Sequence, residues 1–125
     1  ASVTELKQSL EVFAQENRTQ YYGWGLSGLG ISYWLYGVLR YSESVLAYNE
    51  GDYSTSEERQ NEAFAFMEQS IDSFEQCIDL EPATQGNPVF VNRVLQCSCR
   101  PNLEQVKASL QEWQIETGIQ VGLAQ

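Results

Sequence analysis

Apolar side chains recur every three or four residues along most of the chain, and this spacing places them on one face of an α-helix. The pattern is clearest in residues 54–82, STSEERQNEAFAFMEQSIDSFEQCIDLEP. One face of that segment carries Ala63, Phe66, Met67, Ser70, Ile71, Phe74, Cys77 and Ile78. Thr55 and Glu58 have the spacing of a capping box, and Pro82 ends the pattern. The segment is therefore predicted to be a long amphipathic helix.

Two segments before it have the same spacing. The first, Ser2 to Glu16, opens with a capping box of Ser2 and Glu5 and places Val3, Leu6, Leu10 and Phe13 on one face. The second is a longer helix that ends before Gly51, a natural helix stop. Its apolar positions are Ile31, Trp34, Leu35, Val38, Leu39, Val45 and Leu46.

The last third of the chain is less regular. Asn87 followed by Pro88 is typical of a helix N-terminus, but the β-branched residues of VFVNRVLQC, 89–97, are compatible with helix or strand. We favour a helix. Asn102 is the predicted N-cap of a final helix with Leu103, Val106, Leu110 and Trp113 on one face. Gly118 is predicted to lie past its end, with a loosely held tail.

A chain of 125 residues fits one domain, residues 1–125. The hydrophobic fraction of 42% and the aromatic fraction of 12% are too high for an intrinsically disordered chain. Four or five helices joined by short connections predict an all-α fold, either a helix bundle or a repeat-like array of helical hairpins.

The chain is strongly acidic, with seven Lys and Arg residues, seventeen Asp and Glu residues and a formal net charge of −10. This charge repels nucleic acids and anionic lipid surfaces. It suits a partner protein with a basic surface, although acidity also favours solubility. The sequence shows no basic segment followed by an apolar run, which is the pattern of a signal peptide.

The chain contains no histidine. Ser-His-Asp and Cys-His pairs are therefore impossible, and the commonest group for acid–base catalysis near neutral pH is missing. Three cysteines without histidine also fall short of the four ligands of a structural zinc site. We therefore expect no enzymatic activity, no catalytic residue, no metal and no cofactor.

Three is an odd number of cysteines, which argues against a disulfide framework and for a reducing compartment. We therefore expect a cytoplasmic protein with Cys77 in its core. Arg100 next to the pair Cys97 and Cys99 would lower a thiol pKa and make one of them redox-responsive. Burial of one of the pair as a small apolar residue is the favoured alternative.

The segment YYGWGLSGLGISYWLYG, residues 21–37, is rich in glycine and aromatic residues. Gly23, Gly25 and Gly28 match the dinucleotide fingerprint but lack the apolar strand that must precede it. The segment is uncharged, but its Gly, Tyr and Ser content argues against membrane insertion. We interpret the glycines as sites where a neighbouring element approaches closely. A hairpin through residues 26–32 is a variant.

Within SIDSFEQCIDLEP, Ser70, Phe74, Cys77 and Pro82 follow a small, aromatic, small, proline order. This order resembles the second helix of a tetratricopeptide repeat, NEGDY at 49–53 resembles its turn, and YWLYGVLRY at 33–41 resembles its first helix. The resemblance covers 32–82, and a single repeat would need other helices or a second subunit to bury its apolar face. It implies protein binding.

We therefore expect a protein-interaction module: an adaptor, an assembly factor or a regulatory subunit, with homo-oligomerisation left open. Aromatic anchors and an acidic helix face of this chain would contact the partner. The predicted anchors are Tyr21, Tyr22, Trp24 and Tyr41, and the acidic residues are Glu57, Glu58 and Glu62. The carboxylates also fit an ordinary solvated helix face. The alternative function is a helical bundle that binds a small molecule or pigment in an apolar cavity.

Overall fold

The computed structural model of the chain describes residues 2–15 and 19–124, and the predicted all-α fold is confirmed over them. Its elements are α1 (Val3–Gln15), α2 (Thr19–Asn49), α3 (Tyr53–Ile78), a 3₁₀ turn (Pro82–Thr84), α4 (Pro88–Phe90), a π-helical segment (Val91–Cys99) and α5 (Arg100–Ala124). The most extensive helix contact is between α2 and α3. α1 packs on α2, and α5 packs on α3.

The two long helices form a hairpin that turns at Gly51. This glycine has a φ of +83°, and its N–H donates to the Tyr48 carbonyl oxygen at 3.0 Å. The Asp52 N–H donates to the Ala47 carbonyl oxygen at 2.9 Å, which completes a Schellman motif. The predicted helix stop is therefore confirmed, and the turn lies within the NEGDY segment.

The predicted cap of α3 was wrong. The N-cap is Asp52, three residues before Thr55, and its carboxylate accepts a hydrogen bond from the Thr55 N–H at 3.1 Å. Thr55 is thus in the first turn, because the tight turn at Gly51 brings Asp52 directly to the helix start. The Asp52 pKa is lowered by its hydrogen bonds to Thr55.

Two other predicted helix starts are confirmed. At α1, the Glu5 N–H donates to Ser2 Oγ at 3.1 Å, and the Ser2 N–H donates to the Glu5 carboxylate at 3.3 Å. At α4, the Phe90 N–H donates to Asn87 Oδ1 at 3.1 Å. Glu16, the predicted end of the first helix, lies outside the described residues.

The C-terminal third is helical from Pro88 to Ala124, so the helix favoured for residues 89–97 is confirmed. Asn102 is not an N-cap, as its side chain instead donates to Ser98 Oγ at 3.3 Å within the helical run. The π-helical turn, in which the Arg100 N–H donates to the Leu95 carbonyl oxygen, lets the chain pass Pro101 without ending the helix. Gly118 also lies inside α5, not past its end.

The glycine-rich segment is part of α2, so the hairpin variant is wrong. A Cβ at Gly30 would lie 2.7 Å from the Phe74 ring, and one at Gly37 would lie 2.8 Å from Met67 Sδ. The close approach predicted for this segment is therefore confirmed at Gly23, Gly25 and Gly30, but not at Gly28, where a Cβ would lie 3.9 Å from the nearest side chain, that of Leu6. α3 contributes the face expected of it, with Ala63, Met67, Ser70, Phe74 and Cys77 all buried.

A disulfide joins Cys77 of α3 to Cys99 at the end of the π-helical segment. The prediction that an odd cysteine count argues against disulfides was therefore wrong, since the third cysteine, Cys97, is the unpaired one and is exposed. Cys77 is buried, as expected. Arg100 forms an ion pair with Glu81.

Candidate functional site

The outward face of α2 carries large apolar side chains that are 37% to 64% exposed. We call this set the outer stripe: Trp24, Ile31, Leu35, Val38, Leu39, Val45 and Leu46. Four of its members are spaced by seven residues, about two helical turns, so the set forms one band along the helix. Contiguous exposed apolar patches of this extent are uncommon on single soluble chains, so the outer stripe is the candidate site.

The inner face of α2 explains why these side chains face outward. Gly30, Gly37, Ser44 and Ala47 lie against α3 or the hairpin turn, and all four are buried. Their small size lets Phe74 and Met67 pack directly on the α2 backbone. Other large apolar residues of α2 are buried on this inner face, and the exposed ones lie on the opposite side of the helix.

Charge is confined to one cluster on α2. Arg40 and Glu43 are the only ionisable Lys, Arg, Asp or Glu residues between Thr19 and Asn49. Arg40 pairs with Glu43 at 2.9 Å and with Glu62 at 3.0 Å. Arg59 pairs with the same two carboxylates at 3.1 and 3.0 Å. The cluster joins α2 to α3 and leaves the outer stripe uncharged.

The predicted aromatic anchors differ in exposure in the structure. Trp24 is 49% exposed and belongs to the outer stripe. Tyr22 is half-buried and packs against the core. Tyr21 belongs to α2, and its side chain lies outside the described part of the structure. Of the two described side chains, Trp24 has the exposure that a binding anchor requires and Tyr22 does not.

Tyr41 makes its contacts within the chain. Its ring stacks on Trp113 of α5 with centroids 4.2 Å apart, and its hydroxyl donates to the Glu116 carboxylate at 2.6 Å. Burial, the hydrogen bond to Glu116 and the charges of Glu116 and Glu112 raise the Tyr41 pKa above its ordinary value. Tyr41 thus fastens α5 to α2.

The predicted acidic residues also differ, in exposure and in ion pairing. Glu57 and Glu58 are exposed in the early turns of α3. Glu62 is partly buried in the ionic cluster with Arg40 and Arg59, so its charge is compensated. Glu57 and Glu58 retain the exposure that steering of a basic partner requires.

A cleft of about 510 Å³ lies between α1, α2 and α3. Its apolar wall is formed by Leu10, Leu26, Leu29 and Tyr33, and its polar residues include Lys7, Glu11, Gln69 and Asp72. The Lys7 ammonium lies 5.7 Å from the centre of the Tyr33 ring. The volume is that of a small-molecule site, and its lining is mixed.

Most of the outer stripe was not identified as a site from the sequence, although all its members except Trp24 were correctly assigned to a helix. The available signal was the composition of the two faces of α2. Gly30, Gly37, Ser44 and Ala47 lie on one face beside the buried Leu26, Leu29 and Tyr33, and the outer stripe lies on the other face. A helix with small residues on one face can pack closely there and leave its large residues unburied.

No protein-family model, curated protein or solved structure matches this chain. Within residues 2–15 and 19–124, no helix combines the length and apolar character needed to cross a membrane. No three Cys, Asp or Glu side chains in that part of the chain are grouped to hold a metal ion.

Proposed function

We propose that this protein is a non-enzymatic protein-interaction module and that the outer stripe is its binding surface. The observation that carries this proposal is the exposure of seven large apolar side chains, 37% to 64% each, on a helix face without charge. Apolar side chains removed from water in the centre of an interface supply most of its stability. The lack of histidine is in keeping with a role that needs no acid–base catalysis.

The anchors differ from those expected. Trp24 remains a proposed anchor, and we add Leu35 and Leu46, the most exposed members of the outer stripe at 64% and 63%. Glu57 and Glu58, exposed near the turn of the hairpin, would steer a partner only if it were basic. The resemblance to a tetratricopeptide repeat, which implies protein binding, stays a prediction.

The cytoplasmic location rested on the expectation that no disulfide forms. Because Cys77 and Cys99 are paired, we propose an oxidising compartment instead. Trapping thiols with N-ethylmaleimide during lysis of the native host would test this. Recovery of the Cys77–Cys99 peptide pair supports it, and alkylation of all three cysteines restores the cytoplasmic proposal.

A small-molecule function remains the second candidate because of the cleft between α1, α2 and α3. Leu10, Leu26 and Leu29 would contact the apolar part of a ligand, and Lys7 would contact an anionic group. Native mass spectrometry and visible absorbance of protein purified from its host would test it. A stoichiometric bound compound favours the cleft, and an unliganded, colourless protein contradicts it.

The interaction function is tested by comparing the wild type with Leu35→Glu and Ile115→Glu as tagged baits in the native host. Ile115 is 58% exposed on α5, and Trp113 and Thr117, two residues to either side, face the bundle. Ile115→Glu is therefore a control with the same change of chemistry on a different surface.

We expect the wild type and Ile115→Glu to retain the same bound protein at physiological salt, including any untagged copy of the chain, and Leu35→Glu to lose it. The far-UV circular dichroism of the three proteins should agree, because Leu35 and Ile115 are both exposed. Retention of the partner by a folded Leu35→Glu bait would refute the outer stripe as the binding surface.

A further inference from the structure

We propose that the occupant of the outer stripe is the outer stripe of a second copy of the chain, packed antiparallel across a two-fold axis beside Leu35. The inference of a second copy rests on the proposed function, in which this face of α2 binds a protein. Three properties of the face favour a second copy: the area it exposes, the symmetric order of its residues, and its lack of charge.

The exposed area fits a dimer. From the exposed fractions of its seven side chains, the outer stripe presents on the order of 700 Å² to solvent, against the roughly 800 Å² per partner that a standard-size interface buries. From Trp24 to Leu46 the band is about 33 Å long at about 1.5 Å rise per residue. Such a surface is large enough for a stable helix-to-helix contact without any other element.

The order of residues is nearly the same in both directions about Leu35. Trp24 and Leu46 lie equally far from Leu35 in sequence, and so do Ile31 and Leu39. Gly28 and Ser42 are also equally far from Leu35, and Gly28 lies beside Leu6 of α1. An antiparallel copy therefore places Trp24 opposite Leu46 and Ile31 opposite Leu39, each pair formed twice as in an isologous contact. Val38 and Val45 lie opposite the small residues Ser32 and Gly25.

Antiparallel packing also agrees with electrostatics. Each helix N-terminus would lie beside the partner's C-terminus, so the helix dipoles attract. The chain carries a net charge of −10, so two copies repel each other unless the contact excludes acidic residues. The outer stripe has none, because Glu43 of α2 is held in the ionic cluster with Arg40 and Arg59.

A basic partner would gain little at this face, because an uncharged band offers its cations no counter-charge. The two occupants respond to salt in opposite ways. Self-association of an acidic chain through an apolar face strengthens as salt screens the repulsion, whereas docking of a basic partner weakens.

The test is sedimentation velocity of the purified protein from about 1 to 100 µM, a range in which transient and stable dimers are distinguished. We expect a dimer for the wild type and for Ile115→Glu, with tighter association at higher salt. Leu35→Glu brings two carboxylates together at the axis and is expected to raise the dissociation constant on the order of 100-fold. Matching circular dichroism spectra would exclude unfolding as the cause.

The register is tested with charge pairs. An equimolar mixture of Ile31→Glu and Leu39→Lys should form heterodimers, because the two positions face each other in the antiparallel arrangement. The control mixture, Ile31→Glu with Ile31→Lys, should not. Heterodimers from the control mixture alone would overturn the antiparallel register.

Failure of this inference differs from failure of the proposed function. A wild type that stays monomeric at 100 µM, while its capture of another protein depends on Leu35, overturns the second copy and leaves the binding surface intact. A Leu35→Glu variant that dimerises with the same dissociation constant as the wild type also overturns it. If Leu35→Glu stays folded and changes neither self-association nor capture, the proposed function fails as well.

Discussion

The Ser70 hydroxyl donates a 2.6 Å hydrogen bond to the backbone carbonyl oxygen of Gly30 where α3 crosses α2. Ser70 is fully buried, and the contact is direct because Gly30 has no side chain to hold the helices apart. Phe74, one turn further along α3, packs on the same glycine. Close packing of the hairpin and exposure of the outer stripe are thus two consequences of one distribution of small and large residues on α2.

Gly30→Ala is predicted to destabilise the protein although alanine is the better helix former. The new Cβ would lie 2.7 Å from the ring of Phe74, which is completely buried and has no room to move. Such overpacking costs about 1 to 3 kcal/mol, more than the roughly 1 kcal/mol gained in helix propensity. Urea denaturation followed by circular dichroism measures the difference.

Gly28→Ala is the matched control in the same helix. Its Cβ would meet nothing closer than a Leu6 methyl group at 3.9 Å, an ordinary contact. The gain in helix propensity from glycine to alanine is then not offset by a clash, and we expect an increase in the free energy of unfolding of up to about 1 kcal/mol. Equal effects of the two substitutions would show that close packing does not decide the Gly30 position.

Local signals predicted three of the helix boundaries. The capping box of Ser2 and Glu5, the Asn87 cap and the stop at Gly51 each depend on residues within a few positions, so a pattern is enough to identify them. Asp52 was missed because Thr55 offers an equally good pattern. The turn geometry at Gly51, which no pattern records, decides between them.

Features that join distant segments could not be predicted in this way. Cys77 and Cys99 are separated by 22 residues, and their pairing depends on how the π-helical segment packs on α3. Helical spacing also cannot show which face of α2 is buried, because both faces repeat with the same period. The packing of α3 on Gly30 and Gly37 shows that Leu35 and its neighbours face solvent.

Reduction of the disulfide is predicted to lower the free energy of unfolding by about 3 kcal/mol, the value typical of a loop of this length. Urea denaturation with and without reductant gives the change. Cys97→Ser should have no such effect, because Cys97 is exposed and unpaired. A thiol titration should find one free thiol in the unreduced, denatured wild type. Three would contradict the pairing.

Tyr41→Phe is predicted to destabilise the protein by about 1 kcal/mol near neutral pH, through loss of the hydrogen bond to Glu116. The folded-state pKa of Tyr41 is raised above 10. Its contribution is therefore fully present below pH 10 and is lost as the pH rises further, because the unfolded chain ionises first.

The difference between wild type and Tyr41→Phe should thus shrink between about pH 8 and about pH 11. Urea denaturation at both pH values, in a Cys97→Ser background that prevents thiol exchange, would measure it. A difference that is constant over this range would mean that Tyr41 ionises as easily in the folded protein as in the unfolded chain.

Trp24→Ala and Tyr22→Ala are predicted to separate binding from folding. Trp24 is 49% exposed on the outer stripe, so its removal should change the free energy of unfolding by less than about 0.5 kcal/mol and still weaken association. Tyr22 packs against the core and lines the cleft, so its removal should cost about 1 to 3 kcal/mol. Thermal melts and sedimentation of both variants would decide. Unfolding caused by Trp24→Ala would show that its indole belongs to the core and would remove it from the binding surface.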